Sequence, residues 1–124
     1  MPRLIHHIAI GVRDVERVAR FYREAFGLPE VARHFTQTGA LRSIWLDSAQ
    51  TLVMVERTEE AARQVAGVGA GPFLLAISVQ ASEREALEGA LERAGSVIEE
   101  RTEHSSYARD PEGNRVAISH YPRP

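Results

Sequence analysis

The most constraining feature of the sequence is a strand-like segment that occurs twice. HIAIGV at residues 7–12 returns as LLAISV at residues 74–79, so that Ala9 and Ile10 return as Ala76 and Ile77. A short, apolar, alternating run of this kind is typical of a β-strand. The repeat predicts two copies of one module, and the histidine at position 7 occurs in the first copy only, since residue 74 is leucine.

Each copy of the strand is followed by a segment with helical periodicity. After the first copy, Asp14 is a good N-cap, apolar residues recur at helical spacing up to residue 26, and Gly27 provides a stop. After the second copy, Ser82 and Glu85 have the spacing of a capping box, and Gly95 follows an apolar stripe. Both halves therefore begin with a strand and a helix.

Each half then continues in strands. In the first half, a turn at SAQ is flanked by the strand-like segments LRSIWLD and TLVMVE. In the second half, the strand-like segments are SVIEERTE, SSYARD and PEGNRVAISHY, and DPEG matches a type I turn. We predict module 1 at about 1–57, a linker at about 58–71 with one helical turn before a glycine-rich stretch, and module 2 at about 72–124. Neither half has enough strands for an independent sheet. The predicted fold class is α+β, with two βαβββ modules forming a curved mixed sheet around a cleft.

Composition narrows the function classes. The chain has 124 residues, a net charge of −2 and no cysteine. Because acidic and basic residues are interleaved, we expect no nucleic-acid partner and no membrane surface. The absence of cysteine excludes disulfides, thiolate metal sites and cysteine nucleophiles. The first residues contain no apolar stretch long enough for a signal peptide or a membrane span, so we expect a cytoplasmic protein.

Two motifs identify a family resemblance. HIAIGVRDVERVARFYREAFGL (7–28) and YARDPEGNRVAISH (107–120) resemble the opening and closing runs of the vicinal oxygen chelate superfamily, the glyoxalase/bleomycin resistance protein/extradiol dioxygenase group. The resemblance covers both halves and implies a glyoxalase-like single domain over residues 1–124. It implies no particular activity, because one scaffold of this kind carries many.

The resemblance also implies where a metal would be held. Metal-dependent members use His or Glu on the first and last strand of each module, and the matching positions here are His7, Met54, Leu74 and Ala117. Only His7 is a usual ligand, whereas a catalytic site needs about three. A turn at SAQ two residues longer would bring Glu56 to the ligand place instead of Met54. We therefore expect no metal cofactor, with His7 and Glu56 as the ligands of one divalent ion (Zn, Ni, Fe or Mn) in the alternative case.

The remaining candidate residues are read from strand positions. We predict that His7 faces inward, where it would bind a ligand or exchange a proton as a catalytic base. Trp45 and Tyr107 would provide a stacking surface and a hydroxyl, Arg42 would bind an anionic group, and Glu56 would be either a solvated strand end or a carboxylate at the site.

The other histidines receive structural interpretations. His6 should face away from His7, so that the two do not form a chelating pair. His34 falls in the connection after the first helix, and His104 and His120 are expected on the surface near strand ends.

These observations favour a small-molecule-binding, bleomycin resistance protein-like chain that lacks the usual metal and acts by sequestration or by metal-free acid/base chemistry. The alternative is a metal-dependent family enzyme, a lyase, isomerase, dioxygenase or thiol transferase acting on a small organic substrate. A purely structural protein is a weaker third hypothesis. We expect a homodimer, because the resemblance implies side-by-side pairing of modules, often across two chains.

Overall fold

Module 1 forms five elements in a computed structural model that describes residues 1–124. They are β1 (His7–Val12), α1 (Val15–Phe26), β2 (Glu30–Phe35), β3 (Leu41–Ser48) and β4 (Thr51–Arg57). Helix α1 begins where predicted, because the backbone N–H of Arg17 donates to Asp14 Oδ1 at 3.1 Å. It ends at Gly27, whose φ of 69° is left-handed and whose N–H donates to the carbonyl of Arg23. Both predicted helix ends are confirmed.

The four strands of module 1 form sheet 1 in the order β1-β4-β3-β2. β1 pairs with β4 in parallel, and the other two pairs are antiparallel. Directly paired residues share a face of a sheet and successive residues alternate between faces. The core residues of the sheet, Ile44, Leu46, Val53 and Val55, are at most 1% exposed and share one face. The residues between them lie on the other face, which we call the open face of sheet 1.

Module 2 repeats this plan. Its elements are β5 (Leu75–Ser78), a 3₁₀ turn (Ala81–Glu83), α2 (Arg84–Arg93), β6 (Glu100–Arg101), β7 (Ser105–Arg109) and β8 (Arg115–Ser119). Sheet 2 has the order β5-β8-β7-β6, with β5 and β8 parallel. The α+β fold of two βαβββ modules is thereby confirmed. The expectation that neither half has enough strands for its own sheet is wrong, because the strand after each helix brings each module to four strands. Residue contacts divide the chain into two units, Met1–Arg23 with Gly27–Ala61, and Glu24–Phe26 with Ala62–Pro124.

Helix α2 is attached to sheet 2 by polar contacts with a buried serine. Arg84 Nε donates to Ser106 Oγ at 2.9 Å, and Ser106 Oγ donates to Glu88 at 2.5 Å. Ser106 and Leu91 are both 0% exposed. Since Ser106 pairs with Ile118 on β8, the face of sheet 2 that carries these two residues is the one that α2 covers. The opposite face is the open face of sheet 2.

Two local predictions are wrong, and one strand was not predicted. The capping box forms two residues earlier than predicted, where Glu83 accepts a hydrogen bond from the backbone N–H of Gln80 at 2.7 Å. The same four-residue spacing occurs twice in this segment, and the 3₁₀ turn uses the first occurrence. No helical turn forms in the segment 58–71. The first strand after α1, which the sequence left unplaced, is β2 at Glu30–Phe35. No helix of the chain has both the length and the apolar character that a membrane span requires.

Candidate functional site

The open face of sheet 1 carries three rows of side chains across its strands. The first row pairs His7 with Leu52, and Leu52 with Asp47. The second row runs through four strands, and the third contains a carboxylate, a hydroxyl and an imidazole. The members of the second row are Ala9, Met54, Trp45 and Ala32, and those of the third are Gly11, Glu56, Ser43 and His34. The face therefore combines one large aromatic ring with several polar groups.

Three histidine rings surround Trp45 on this face. The ring centroid of Trp45 lies 5.1 Å from that of His7, 5.7 Å from that of His34 and 6.3 Å from that of His6. These separations fall within the range of edge-to-face and tilted aromatic contacts. Of these four rings, the sequence analysis placed His7 and Trp45 at the site, together with Arg42, Glu56 and Tyr107, and the structure brings His7 and Trp45 together.

The orientation predicted for His6 is wrong. Its Nδ1 lies 2.9 Å from His7 Nδ1, and both side chains are exposed. β1 begins at His7, so His6 precedes the strand and is not subject to the alternation used to point it away. One of the two nitrogens must carry the hydrogen of this bond, and the other must accept it.

His34 is the second histidine that the sequence analysis did not connect with Trp45. It lies on β2, and its Nδ1 is 3.2 Å from the hydroxyl of Ser43, which is 0% exposed. The sequence signal for β2 is the alternation in EVARHF. The apolar residues Val31 and Phe35 of this segment are exposed in the structure, so the strand does not have the usual pattern of buried apolar side chains. Correct placement of that strand puts His34 opposite Ser43, next to Trp45.

Trp45 lacks one hydrogen bond. Its Nε1 is buried and has no partner. An unsatisfied buried donor of this kind costs about 1–3 kcal/mol, and such groups in native proteins call for an explanation. The indole makes ring contacts with the three imidazole rings.

The polar candidates on sheet 1 occupy different positions. Glu56 is half-buried on the open face, opposite Ser43 and two residues beyond Met54. Arg42 is exposed at the register shift between β2 and β3, where it has no directly paired residue. Glu56 is therefore close to Trp45 on the same face, whereas Arg42 lies at the edge of the pattern.

The open face of sheet 2 contains the counterpart of this arrangement. Tyr107 pairs with Ala117, as Trp45 pairs with Met54, and the Arg115 guanidinium lies 4.5 Å from the centre of the Tyr107 ring. In the neighbouring row, Ser105 Oγ donates to Ser119 Oγ at 2.8 Å. Sheet 2 thus has hydroxyl and alkyl groups where sheet 1 has an imidazole, a carboxylate and a thioether.

Histidines also meet in module 2, at the ends of β7 and β8. The ring centroids of His104 and His120 are 5.2 Å apart, and that of Tyr121 lies 5.1 Å from His104. Both histidines are half-buried and not fully on the surface as predicted, because they pack against each other.

The family ligand places do not provide a site for a hard divalent ion. The turn between β3 and β4 contains only Ala49 and Gln50, so Met54 pairs with Ala9 just as Ala117 pairs with Ala76. The residue at the ligand place of β4 is therefore Met54, and Glu56 lies one row away. Leucine and alanine at the two places in module 2 offer no donor atoms, and no group of three or more His, Cys, Asp or Glu side chains is arranged to hold a metal ion. Mn²⁺, Fe²⁺ or Zn²⁺ would need about three nitrogen or oxygen ligands.

Away from these faces, two ionic clusters stabilise the modules. Arg33 bridges Glu16 and Glu30, and its hydrogen bonds hold the pKa of both carboxyls below the usual value. In module 2, hydrogen bonds from Arg101 lower the pKa of Glu88. Neither cluster contacts Trp45, so we assign them structural roles.

The fold has solved relatives. One is FosX, the fosfomycin resistance protein of Listeria monocytogenes, solved as a mutant complexed with Mn(II) and 1S,2S-dihydroxypropylphosphonic acid. It is 15% identical to this chain, and the match covers 98% of this chain and 95% of that chain with a TM-score of 0.82. FosX of Mesorhizobium loti is 16% identical over 98% and 94%, with a TM-score of 0.80. Lactoylglutathione lyase of Agrobacterium tumefaciens is 21% identical over 95% and 93%, with a TM-score of 0.70.

Sequence comparison establishes the family. No curated protein matches the chain. The model of the Glyoxalase/Bleomycin resistance protein/Dioxygenase superfamily, however, matches residues 4–118, which is nearly the whole chain. The structural relatives, at these low identities, add agreement in fold. The chain belongs to the Glyoxalase/Bleomycin resistance protein/Dioxygenase superfamily, and the resemblance to vicinal oxygen chelate proteins is confirmed.

Proposed function

We propose that the protein binds a small organic molecule on the open face of sheet 1. Trp45 provides the apolar surface, and His7 provides a hydrogen bond or exchanges a proton with the ligand. Glu56 adds a carboxylate on the same face, and Arg42 adds a cation at its edge. Tyr107 belongs to the equivalent row of sheet 2, and its predicted role in ligand binding is not part of this proposal.

The observation that carries this proposal is the packing of three imidazole rings around Trp45. Aromatic rings grouped with a few polar groups are the usual lining of small-molecule sites. The unpaired indole nitrogen supports the same interpretation, since proteins tolerate such local costs mainly where function requires them. Sheet 2, which has the same fold, has no such group of rings around Tyr107.

The proposed binding does not use the family's divalent ion. Of the four ligand places, His7 alone has a ligand suited to such an ion, which argues against the alternative of a metal-dependent lyase, isomerase, dioxygenase or thiol transferase. We expect the protein purified without chelators to contain far less than one Mn, Fe, Ni or Zn per chain by elemental analysis. A stoichiometric ion bound at His7 would favour the metal-dependent enzyme.

Ligand binding is tested with the single tryptophan of the chain, whose fluorescence reports on this face alone. Ligands found by a thermal-shift screen are titrated against the parent and His7→Ala. A hydrogen bond contributes about 0.5–1.5 kcal/mol, so its loss should weaken binding about 2- to 12-fold. The matched control is His104→Ala in module 2, which should bind as the parent does.

Two results would refute the binding proposal. One is a His7→Ala variant with parental melting temperature and undiminished affinity for every ligand found. The other is a ligand whose affinity falls in His104→Ala and not in His7→Ala. Circular dichroism of both variants separates loss of binding from loss of fold.

We further propose that the chain forms a homodimer in the cytoplasm. β1 and β5 are edge strands, and Ala9 and Ala76 on them are exposed. Uncovered edges are usually paired or protected in natural proteins. Light scattering at micromolar concentration should give about twice the chain mass of 13.8 kDa, and a monomer mass would exclude the dimer.

A further inference from the structure

The most unusual group of donor atoms in the molecule lies where β1 begins. The Nδ1 atoms of His6 and His7 are 2.9 Å apart, and both side chains are exposed. A cation about 2 Å from each nitrogen would be held at an angle of about 90°, given usual metal–imidazole distances. His6 precedes the strand, so a change in its side-chain rotamer that widens this angle would leave the pairing of β1 intact.

A thioether and an indole lie on the same face. Met54 pairs with Ala9, two residues along β1 from His7, and with Trp45 on β3. Met54 is therefore one row from His7 on this face, and a methionine side chain has three rotatable bonds. The Trp45 ring centroid is 5.1 Å from that of His7. Two imidazole rings and one indole are thus in contact within module 1, and a thioether side chain lies in the row beside His7.

We propose that His6, His7 and Met54 bind one soft monovalent cation, copper(I), against the indole face of Trp45. Thioether sulfur selects copper(I), and imidazole nitrogen also suits copper. A tryptophan ring attracts a desolvated cation through its quadrupole. Methionine at a position where metal-dependent family members have His or Glu weakens a site for Mn²⁺ or Zn²⁺. The same methionine makes this set of donor atoms soft.

The neutral histidine pair binds the cation without net loss of a proton. In the hydrogen-bonded pair, one ring has its hydrogen on Nδ1 and the other has its hydrogen on Nε2. Entry of the cation moves the first hydrogen to Nε2 of the same ring through solvent, which leaves both Nδ1 lone pairs for coordination. The inference goes beyond the proposed function, since it uses His7 and Trp45 again but no organic ligand takes part.

The test uses silver(I), which is inert to redox change, and copper(I) held reduced in an anaerobic ascorbate buffer. Each ion is titrated into the full chain while Trp45 fluorescence is followed, and affinity is measured by competition with a colorimetric copper(I) chelator. We expect quenching that saturates at one ion per chain and is not reversed by excess Mn(II). Loss of an outer-sphere partner weakens metal sites about 10- to 100-fold, so Met54→Leu and His6→Gln should each weaken binding by at least that factor.

His104→Gln is the matched control, because His104 also packs against a second histidine but has neither methionine nor tryptophan beside it. It should leave the affinity unchanged. Trp45→Phe should still bind the ion in the chelator assay, more weakly than the parent. The proposal is overturned by any of three results: no binding at one equivalent, undiminished affinity in Met54→Leu, or equal weakening in His104→Gln and His6→Gln.

Discussion

Replacement of Glu88 by glutamine tests how much of the stability of module 2 depends on one charge. Glu88 is 14% exposed in its side chain and accepts hydrogen bonds from Arg101 Nη2 at 2.9 Å and from the buried Ser106 hydroxyl. A hydrogen bond to a charged group contributes about 1.5–3 kcal/mol, against about 0.5–1.5 kcal/mol for a neutral one. The Arg101 side chain is 56% exposed, so screening by solvent reduces the contribution of its hydrogen bond to stability. We expect Glu88→Gln to lower the free energy of unfolding by about 1–2 kcal/mol at pH 7.

The pH dependence gives the prediction a second, independent readout. Arg101 is the main cause of the lowered pKa of Glu88, whose ordinary value is 4.5. A lowered pKa in the folded state stabilises the fold above the unfolded pKa, and this contribution is lost as the pH falls through the folded pKa. The gap between parent and variant should therefore be full above about pH 4.5 and shrink below it.

Urea denaturation followed by circular dichroism from pH 7 to pH 3 measures this gap. Glu92→Gln, at an exposed position one turn further along α2, is the control and should change stability by less than about 0.5 kcal/mol. A Glu88→Gln variant as stable as the parent at pH 7 would contradict the argument. A gap that stays constant down to pH 3 would show that the charge is not its source.

Two further substitutions test the framework of the modules. Leu91→Ala, at a position with 0% exposure, should lower the free energy of unfolding by about 2–5 kcal/mol in urea denaturation. The loss should be smaller for Leu87→Ala, at a half-exposed position one turn earlier, and equal losses would be inconsistent with Leu91 as the core anchor of α2. Gly27→Ala places a side chain at a φ of 69° and should lower the free energy of unfolding by about 1–2 kcal/mol. Gly69→Ala, where φ is not left-handed, should be nearly neutral, and equal melting temperatures for the two variants would argue against backbone strain at Gly27.

Much of the fold was predictable from sequence because its signals are local. Asp14 and Gly27 fix the ends of α1 by hydrogen bonds within a few residues, and the turn after Asp110 likewise depends on neighbours, since the N–H of Gly113 donates to the Asp110 carbonyl. The repeat of β1 as β5 was strong enough to predict two modules. The start of α2 was misplaced because two overlapping segments share the capping spacing, and only the 3₁₀ turn selects the one at Gln80.

The site was only partly predictable because it depends on cross-strand pairing. Neighbours across a sheet are set by register, which a single sequence specifies weakly at the edge strand β2. His34 could not be assigned to Trp45 until β2 was paired with β3. The orientation of His6 was predicted wrongly for a different reason. Alternation of side chains applies only inside a strand, and β1 begins one residue after His6.

The equivalence of the two open faces has an evolutionary consequence. Each module builds its own sheet, so Trp45 and its counterpart Tyr107 occupy equivalent positions that selection can change separately. In a duplicated module of this kind, the two copies can carry different side chains at equivalent open-face positions while both keep the same sheet. In an alignment of close homologues we expect the open-face positions of module 1 to change together, as a group selected for one task. The buried positions of both modules should drift slowly and in parallel, because they answer only to packing.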